Sequence, residues 1–159
     1  MIREATIADC EYLAKIYNEY LGKATMDIEE KIGKYFENIL AEQSVSEKLY
    51  VLEIDEMVIG WGILKKYSDR QGYAKTGETS VYLHKDFLFR GFGKLMKKHL
   101  IEKAEQLKYK HLVAKIWARN KASIKYNSDF GYTIVGTQHK VGYVNGKYMD
   151  VVIMQYVFE

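Results

Sequence analysis

The pattern of hydrophobic runs along the chain predicts one α/β (α+β) domain, a mixed and mostly antiparallel central sheet flanked by helices. Three observations carry that expectation. Strand-like runs and segments of helical spacing follow one another in the order β-α-α-β-β-β-α-β-α-β-β. A strand, a glycine-bearing turn and a helix stand together over residues 76–98, TGETSVYLHKDFLFRGFGKLMKK. The chain has 159 residues without repeat, linker or low-complexity stretch, which suits one core and leaves no room for two. A single domain over 1–159 is therefore expected.

Residues 2–5 read as a short first strand. Thr6 with Asp9 three residues on resembles a capping box, and the helix after it places Cys10, Leu13, Ala14, Tyr17, Tyr20 and Leu21 on one face. Residues 22–25 break it. A second helix is expected with Ile28, Ile32, Phe36, Ile39 and Leu40 facing inward, and residues 43–47 form a loop. Residues 49–54 and 58–67 are β-rich and joined like a hairpin, with Gly60 and Gly62 marking a bulge or a close backbone approach. After a polar loop over 68–72, the central strand is expected from near Tyr73. The helix of the central unit sets Met96, Leu100, Ala104 and Leu107 on one face and Lys97, Lys98, Glu102 and Glu105 off it. Residues 111–117, HLVAKIW, read as a buried strand. Asn120 is a good N-cap for a short helix that Gly131 ends, and residues 132–136 and 149–158 are the final strands.

Composition narrows the function classes. Hydrophobic residues make up 48% and the net charge is only +3, with lysines scattered rather than clustered, so nucleic acid is not an expected partner. Lys97 and Lys98 read as a solvated helix face within reach of an outer phosphate. Cys10 is the only cysteine, which excludes disulfides within the chain and thiolate metal sites; it reads as a small buried hydrophobe. Four histidines (His84, His99, His111, His139) lack metal-ligand spacing, so no metal is expected. Early charges at Arg3, Glu4, Asp9 and Glu11 argue against a signal peptide, and no apolar run reaches membrane-spanning length. A reducing, cytoplasmic location fits, with no membrane partner.

The central unit has a direct physical meaning. A helix N-terminus presents unpaired backbone N–H groups with the positive end of the helix dipole behind them, and glycines let a ligand touch them. Phosphate or pyrophosphate is the natural ligand. A mononucleotide phosphate loop would need Ser or Thr after Lys94, where Leu95 stands, and a dinucleotide fingerprint would need glycine where Met96 stands.

Val81-Tyr82-Leu83, the polar break His84-Lys85-Asp86 and Arg90-Gly91-Phe92-Gly93-Lys94 resemble the coenzyme A signature of the GNAT acyltransferase superfamily. Asn120-x-x-Ser123-x-x-Tyr126-Asn127-x-x-x-Gly131-Tyr132 resembles a second segment of that superfamily, and together the two extend the resemblance to essentially the whole chain. Within it, Ile16-Tyr17-Asn18-Glu19-Tyr20, Thr76-Gly77-Glu78 and Val141-Gly142 with Gly146-Lys147-Tyr148 are most similar to the phosphinothricin/methionine-sulfoximine N-acetyltransferase branch. The resemblance implies acetyl-CoA as co-substrate and direct acetyl transfer to the primary amine of a small, amino-acid-like acceptor.

It also implies roles. The backbone of Tyr82, Leu83 and His84 would pair with the pantetheine arm. Leu88, Phe89, Arg90, Gly91, Phe92, Gly93, Lys94 and Leu95 would wrap the pyrophosphate, and Asn120 with Ser123 would border the pantetheine. A backbone N–H near Tyr82 would polarise the thioester carbonyl. Glu78 matches the superfamily's general base, and strand alternation puts it on one face with Ser80 and Tyr82; the bland alternative is a glutamate paired with a lysine. Two positions depart from the pattern. Leu88 stands where Gln or Arg is usual. Asn127 stands where a general acid, Tyr or His, is usual, and an amide can donate a hydrogen bond but transfers no proton at neutral pH. These departures leave open a non-catalytic acyl-CoA-binding domain, and protein N-terminal or lysine acetylation is a third reading. The tyrosines around 17–20 and 143–148 suggest a walled small-molecule pocket, and the exposed late strands suggest a homodimer.

Overall fold

In the computed structural model, which describes residues 1–159, the elements follow the expected order. They are β1 (Ile2–Glu4), α1 (Cys10–Asn18), α2 (Gly33–Glu42), β2 (Lys48–Ile54), β3 (Met57–Lys66), β4 (Thr76–Leu83), α3 (Phe92–Gln106), β5 (His111–Trp117), α4 (Lys121–Asp129), β6 (Thr133–Val144) and β7 (Lys147–Val157). The strands form one sheet in the order β1-β2-β3-β4-β5-β7-β6. All neighbours are antiparallel except β4 and β5, whose parallel pairing requires the crossover that α3 provides.

Local chemistry sets the joints. At the first, the Thr6 N–H and hydroxyl donate to the Asp9 carboxylate at 2.8 and 3.2 Å, and the Arg3 guanidinium donates to both Asp9 oxygens at 2.8 and 2.9 Å. Those bonds, Arg3's first, hold the Asp9 carboxyl below the ordinary range while the residue is only 4% exposed. The turn between β2 and β3 has Asp55 and Glu56 at φ 49° and 64°, and the turn between β6 and β7 has Asn145 and Gly146 at 51° and 76°. Both are the two-residue form whose twist suits a hairpin.

Several boundaries differ from the sequence reading. Tyr20 and Leu21 lie beyond the end of α1, whose buried side is Cys10, Leu13, Ala14, Ile16 and Tyr17. The second helix begins only at Gly33, and Ile28 and Ile32 are exposed rather than inward. Helical spacing thus ran on through a segment that lacks the helix. The central strand starts at Thr76, because residues 71–73 form a 3-10 turn. β6 continues to Val144, well past Gly136, with irregular register that lets the strand bend around β7.

The sheet is packed on both faces. On one face α1 and α2 cover Leu49, Val51 and Trp61. On the other, Met96, Leu100 and Ala104 of α3 join Leu64, Leu112 and Met154. Gly62 permits that approach, since a Cβ there would stand 2.6 Å from Met96 Cγ. Lys97 is the exception to the expected faces of α3: it is buried, 2% exposed.

One irregularity positions everything functional. β4 pairs with β5 only through Thr76–Glu78 and His111–Val113. Beyond those rungs the two strands part, and the sheet opens into a gap bordered by α3 and α4. No helix is long and apolar enough to cross a membrane.

Candidate active site

The gap is flanked by two cavities. One, of about 640 Å³, lies on the α3–α4 side and is lined by Leu83, Leu88, Gly91, Gly93, Lys94, Asn120 and Asn127, among others. The second, of about 850 Å³, lies on the opposite face, where Glu78, Tyr17, Tyr67 and Gln155 contribute. Ser80, Tyr82, Lys115, Trp117 and Ala24 line both, so the two spaces meet at the parting of β4 and β5.

The N-terminus of α3 is built as an anion cradle. Its first ladder bond is Leu95 N–H to Gly91 C=O, and no backbone N–H from 88 to 94 donates to a protein acceptor. Gly91 sits in the left-handed region at φ 86° and Phe89 at 60°. Such reversals turn successive N–H groups toward one point, where a phosphate is favoured. A Cβ at Gly91 would meet nothing within 4 Å, so it is backbone conformation that calls for glycine there. The cradle fits a pyrophosphate.

β4 supplies the next groups. Tyr67 N–H bonds to Thr76 C=O at one end of the β3–β4 ladder and His84 N–H to Ile59 C=O at the other. By antiparallel alternation the even-numbered residues of β4 bond to β3, and the backbone groups of Val81 and Leu83 face the gap. Those of Leu83 are already engaged. The Tyr20 hydroxyl donates to its C=O at 2.6 Å and accepts from its N–H at 3.1 Å. Val81 is left facing the gap.

The residues of β4 divide between the spaces: Glu78 lines the larger cavity only, Thr79 and Val81 the smaller only, and Ser80 and Tyr82 stand where the two meet. The Glu78 carboxylate is 13% exposed and lies 3.5 Å from Lys115 Nζ. Tyr82 is stacked among Trp61, Tyr17 and Tyr20 at ring separations of 4.6 to 5.1 Å, and burial pushes its hydroxyl well above the ordinary phenol range.

Placement of the other expected residues is mixed. Tyr82, Leu83, Leu88, Phe89, Gly91, Gly93, Lys94, Asn120, Ser123 and Asn127 come together around the smaller cavity. His84, Arg90, Phe92 and Leu95 are not in its lining. His84 Nδ1 accepts from Asp86 N–H and its other nitrogen faces Glu19 at 3.6 Å. Arg90 stacks over the Phe87 ring, Phe92 packs beside that ring, and Leu95 is 54% exposed. The Asn120 side-chain oxygen accepts from Ser123 N–H as the N-cap of α4, which leaves its amide NH₂ for a ligand. Asn127 donates to Ser123 C=O at 2.9 Å, so its NH₂ is tied to its own helix and its buried Oδ1 has no donor. The Tyr126 hydroxyl bonds to Gly93 C=O, locking α4 to the start of α3.

Two contributors were missed from the sequence. Lys115 and Trp117 were hidden in a run read as buried, although a lone charge alternating with Val113 and Trp117 was a usable signal. Lys97, read as a solvated residue within reach of an outer phosphate, is instead buried in the lining of the smaller cavity. Tyr143 and Tyr148, expected near a pocket, stack on each other at the exposed tip of the β6–β7 hairpin instead.

With this geometry in view, comparison with known proteins decides the family. The model of the acetyltransferase (GNAT) domain matches residues 2–153. The chain belongs to the GNAT acetyltransferase family. It is 29% identical to the L-amino acid N-acyltransferase MnaT of Escherichia coli, over 97% of this chain and 91% of that one. It is also 29% identical to a phosphinothricin N-acetyltransferase of Streptomyces viridochromogenes, over 99% and 87%. Among solved structures it resembles a Brucella melitensis ribosomal-protein-alanine N-acetyltransferase, with 28% identity, TM-score 0.92 and 99% of each chain covered. A Salmonella typhimurium structure containing its cofactor acetyl-CoA matches with 25% identity and TM-score 0.91, over 100% of this chain and 94% of that one. In this GNAT chain the residues of the cradle and the gap fit the same cofactor.

Proposed function

We propose that the protein transfers the acetyl group of acetyl-CoA to the primary amine of a small, amino-acid-like acceptor, by direct attack with both substrates bound. The observation that carries this is the meeting of the two cavities at Ser80, Tyr82 and Lys115, with the N-terminus of α3 on one side and Glu78 on the other. The names of relatives acting on L-amino acids and phosphinothricin support the acceptor class.

Acetyl-CoA supplies an activated acetyl thioester. The chain's residues do the rest. Backbone N–H groups from Leu88 to Lys94 hold the pyrophosphate, assisted by the helix dipole, so Leu88 in place of a polar side chain is tolerated: the donors are main-chain. The gap-facing groups of Val81 pair with the pantetheine arm, and its N–H is placed to polarise a carbonyl. Glu78 accepts a proton from the amine arriving through the larger cavity, and Lys115 beside it keeps a positive charge near the carboxylate. Tyr17, Tyr67 and Tyr82 wall that cavity. A homodimer in the cytoplasm completes the reading, supported by the exposed edge of β6.

Protein N-terminal acetylation is the second reading, favoured by the likeness to the ribosomal-protein-alanine enzyme and by the size of the larger cavity. The deciding experiment starts with the thermal midpoint in the presence of acetyl-CoA, coenzyme A or ATP, followed by thiol release with free amino acids and with short peptides. Stabilisation by both coenzyme A species but not ATP is expected, with faster thiol release on free amino acids. No stabilisation by either would defeat the cofactor assignment; preference for peptides would replace the acceptor.

A further inference from the structure

Lys97 has no place in the chemistry above, yet its surroundings are specific. It lines the smaller cavity, and Nζ donates to Thr79 Oγ1 at 2.9 Å and sits 4.2 Å from the centre of the Tyr132 ring. The Tyr132 hydroxyl shares a 2.9 Å hydrogen bond with the same Thr79 oxygen. No carboxylate forms an ion pair with Lys97. The titratable groups facing it are Tyr132, with Tyr126 of α4 and Tyr156 of β7 close to that ring, and burial keeps the hydroxyls of Tyr126 and Tyr132 neutral. Burial alone brings the Lys97 ammonium down to about 7. A buried cation held by one neutral oxygen and one π face lacks an anion. On the α4 wall of the same cavity, Asn127 offers no proton and only an unpaired acceptor oxygen.

Resting on the acetyl-transfer reading, we propose that Lys97 is the proton donor to the departing coenzyme A thiolate, the role Asn127 cannot fill. As the amine nitrogen bonds to the carbonyl carbon, the carbon–sulfur bond breaks and its electron pair leaves on sulfur. The proton lost by nitrogen goes to Glu78. The proton gained by sulfur comes from Lys97 Nζ, which is left neutral. Both groups exchange with water once the cavity opens. A lysine with a lowered pKa is suited to this, being protonated before the step and a stronger acid than an exposed one.

The test has a readout that needs no turnover. Coenzyme A bound to the protein is titrated through the ultraviolet absorbance of its thiolate. In the wild type the bound thiol should ionise at least about one pH unit below free coenzyme A, because a thiolate formed beside Lys97 holds the ammonium charged and is stabilised by it, the two titrating as a pair; in Lys97→Met the value should return to that of the free thiol. Lys97→Met should also lower kcat about 100-fold with little change in KM for acetyl-CoA, and remove the fall in rate that loss of the Lys97 proton imposes above about pH 7. A wild-type bound thiol that titrates as in solution overturns the proposal, and that measurement does not depend on the variant folding. If coenzyme A fails to bind at all, it is the acetyl-transfer reading that falls.

Discussion

The Glu78 carboxylate lies 3.5 Å from the Lys115 ammonium, just where β4 and β5 stop pairing. The position assigned to a base and the lysine partner of a structural glutamate thus occur together. Lys115 is about half exposed, and a pair of that kind contributes under about 1 kcal/mol. Glu78→Gln should therefore leave the thermal midpoint within about 4 °C of wild type and acetyl-CoA affinity unchanged. Its kcat should fall about 100-fold or more. Steady-state rates beside a ligand titration check this; full turnover in Glu78→Gln would return Glu78 to a purely structural role.

Tyr20 closes the end of β4 through both backbone groups of Leu83. Tyr20→Phe removes the hydroxyl and leaves those groups unpaired, at a cost of about 1–3 kcal/mol. A denaturation curve should show that loss. Affinity for acetyl-CoA should stay within about threefold, since the arm is assigned to Val81; a gain of tenfold or more would mean that the arm uses Leu83 and that Tyr20 competes for it.

Gly91 is left-handed, with open space where a Cβ would be. Gly91→Ala should cost about 1–2 kcal/mol through backbone strain and weaken acetyl-CoA about tenfold by turning the amides away. Gly93, whose added Cβ would make ordinary contacts at 3.5 Å or more, should accept alanine with less loss of stability. Equal effects at both positions would argue against the conformational account.

Lys97 also makes stability depend on pH. Its ammonium ionises at about 7 when folded, against 10.5 as the ordinary value. Between those values the unfolded chain binds more protons, so this group makes stability rise with pH. Its penalty is full below about pH 7 and gone above the ordinary value. Lys97→Met should be the more stable protein at neutral pH, with a flatter stability curve from pH 7 to 10. A slope identical to wild type would show that Lys97 is not buried as a titrating cation.

Much of the fold was legible because its signals are local. The order of elements, the Asn120 cap, the helix-ending Gly131 and the face shared by Glu78, Ser80 and Tyr82 all follow from short-range spacing. The misreadings have one common source. Periodicity reports which residues share a face, not whether a face is covered or a helix is nucleated. Ile28 and Ile32 fitted the helical template but lie exposed, whereas Lys97 fitted a solvent face that Thr79 and Tyr132 in fact cover.

The sequence by itself determined the elements, their order, the phosphate-type turn at the start of α3 and the family resemblance that named acetyl-CoA, since each depends on residues close along the chain. Only the tertiary structure decided that β4 and β5 part after Glu78, that Tyr20 takes the backbone of Leu83, that Lys115 meets Glu78 and that Lys97 is buried against Thr79. Those relationships join residues from 18 to 63 positions apart. Partners so distant are selected by the packing of whole elements, and no local pattern carries that information.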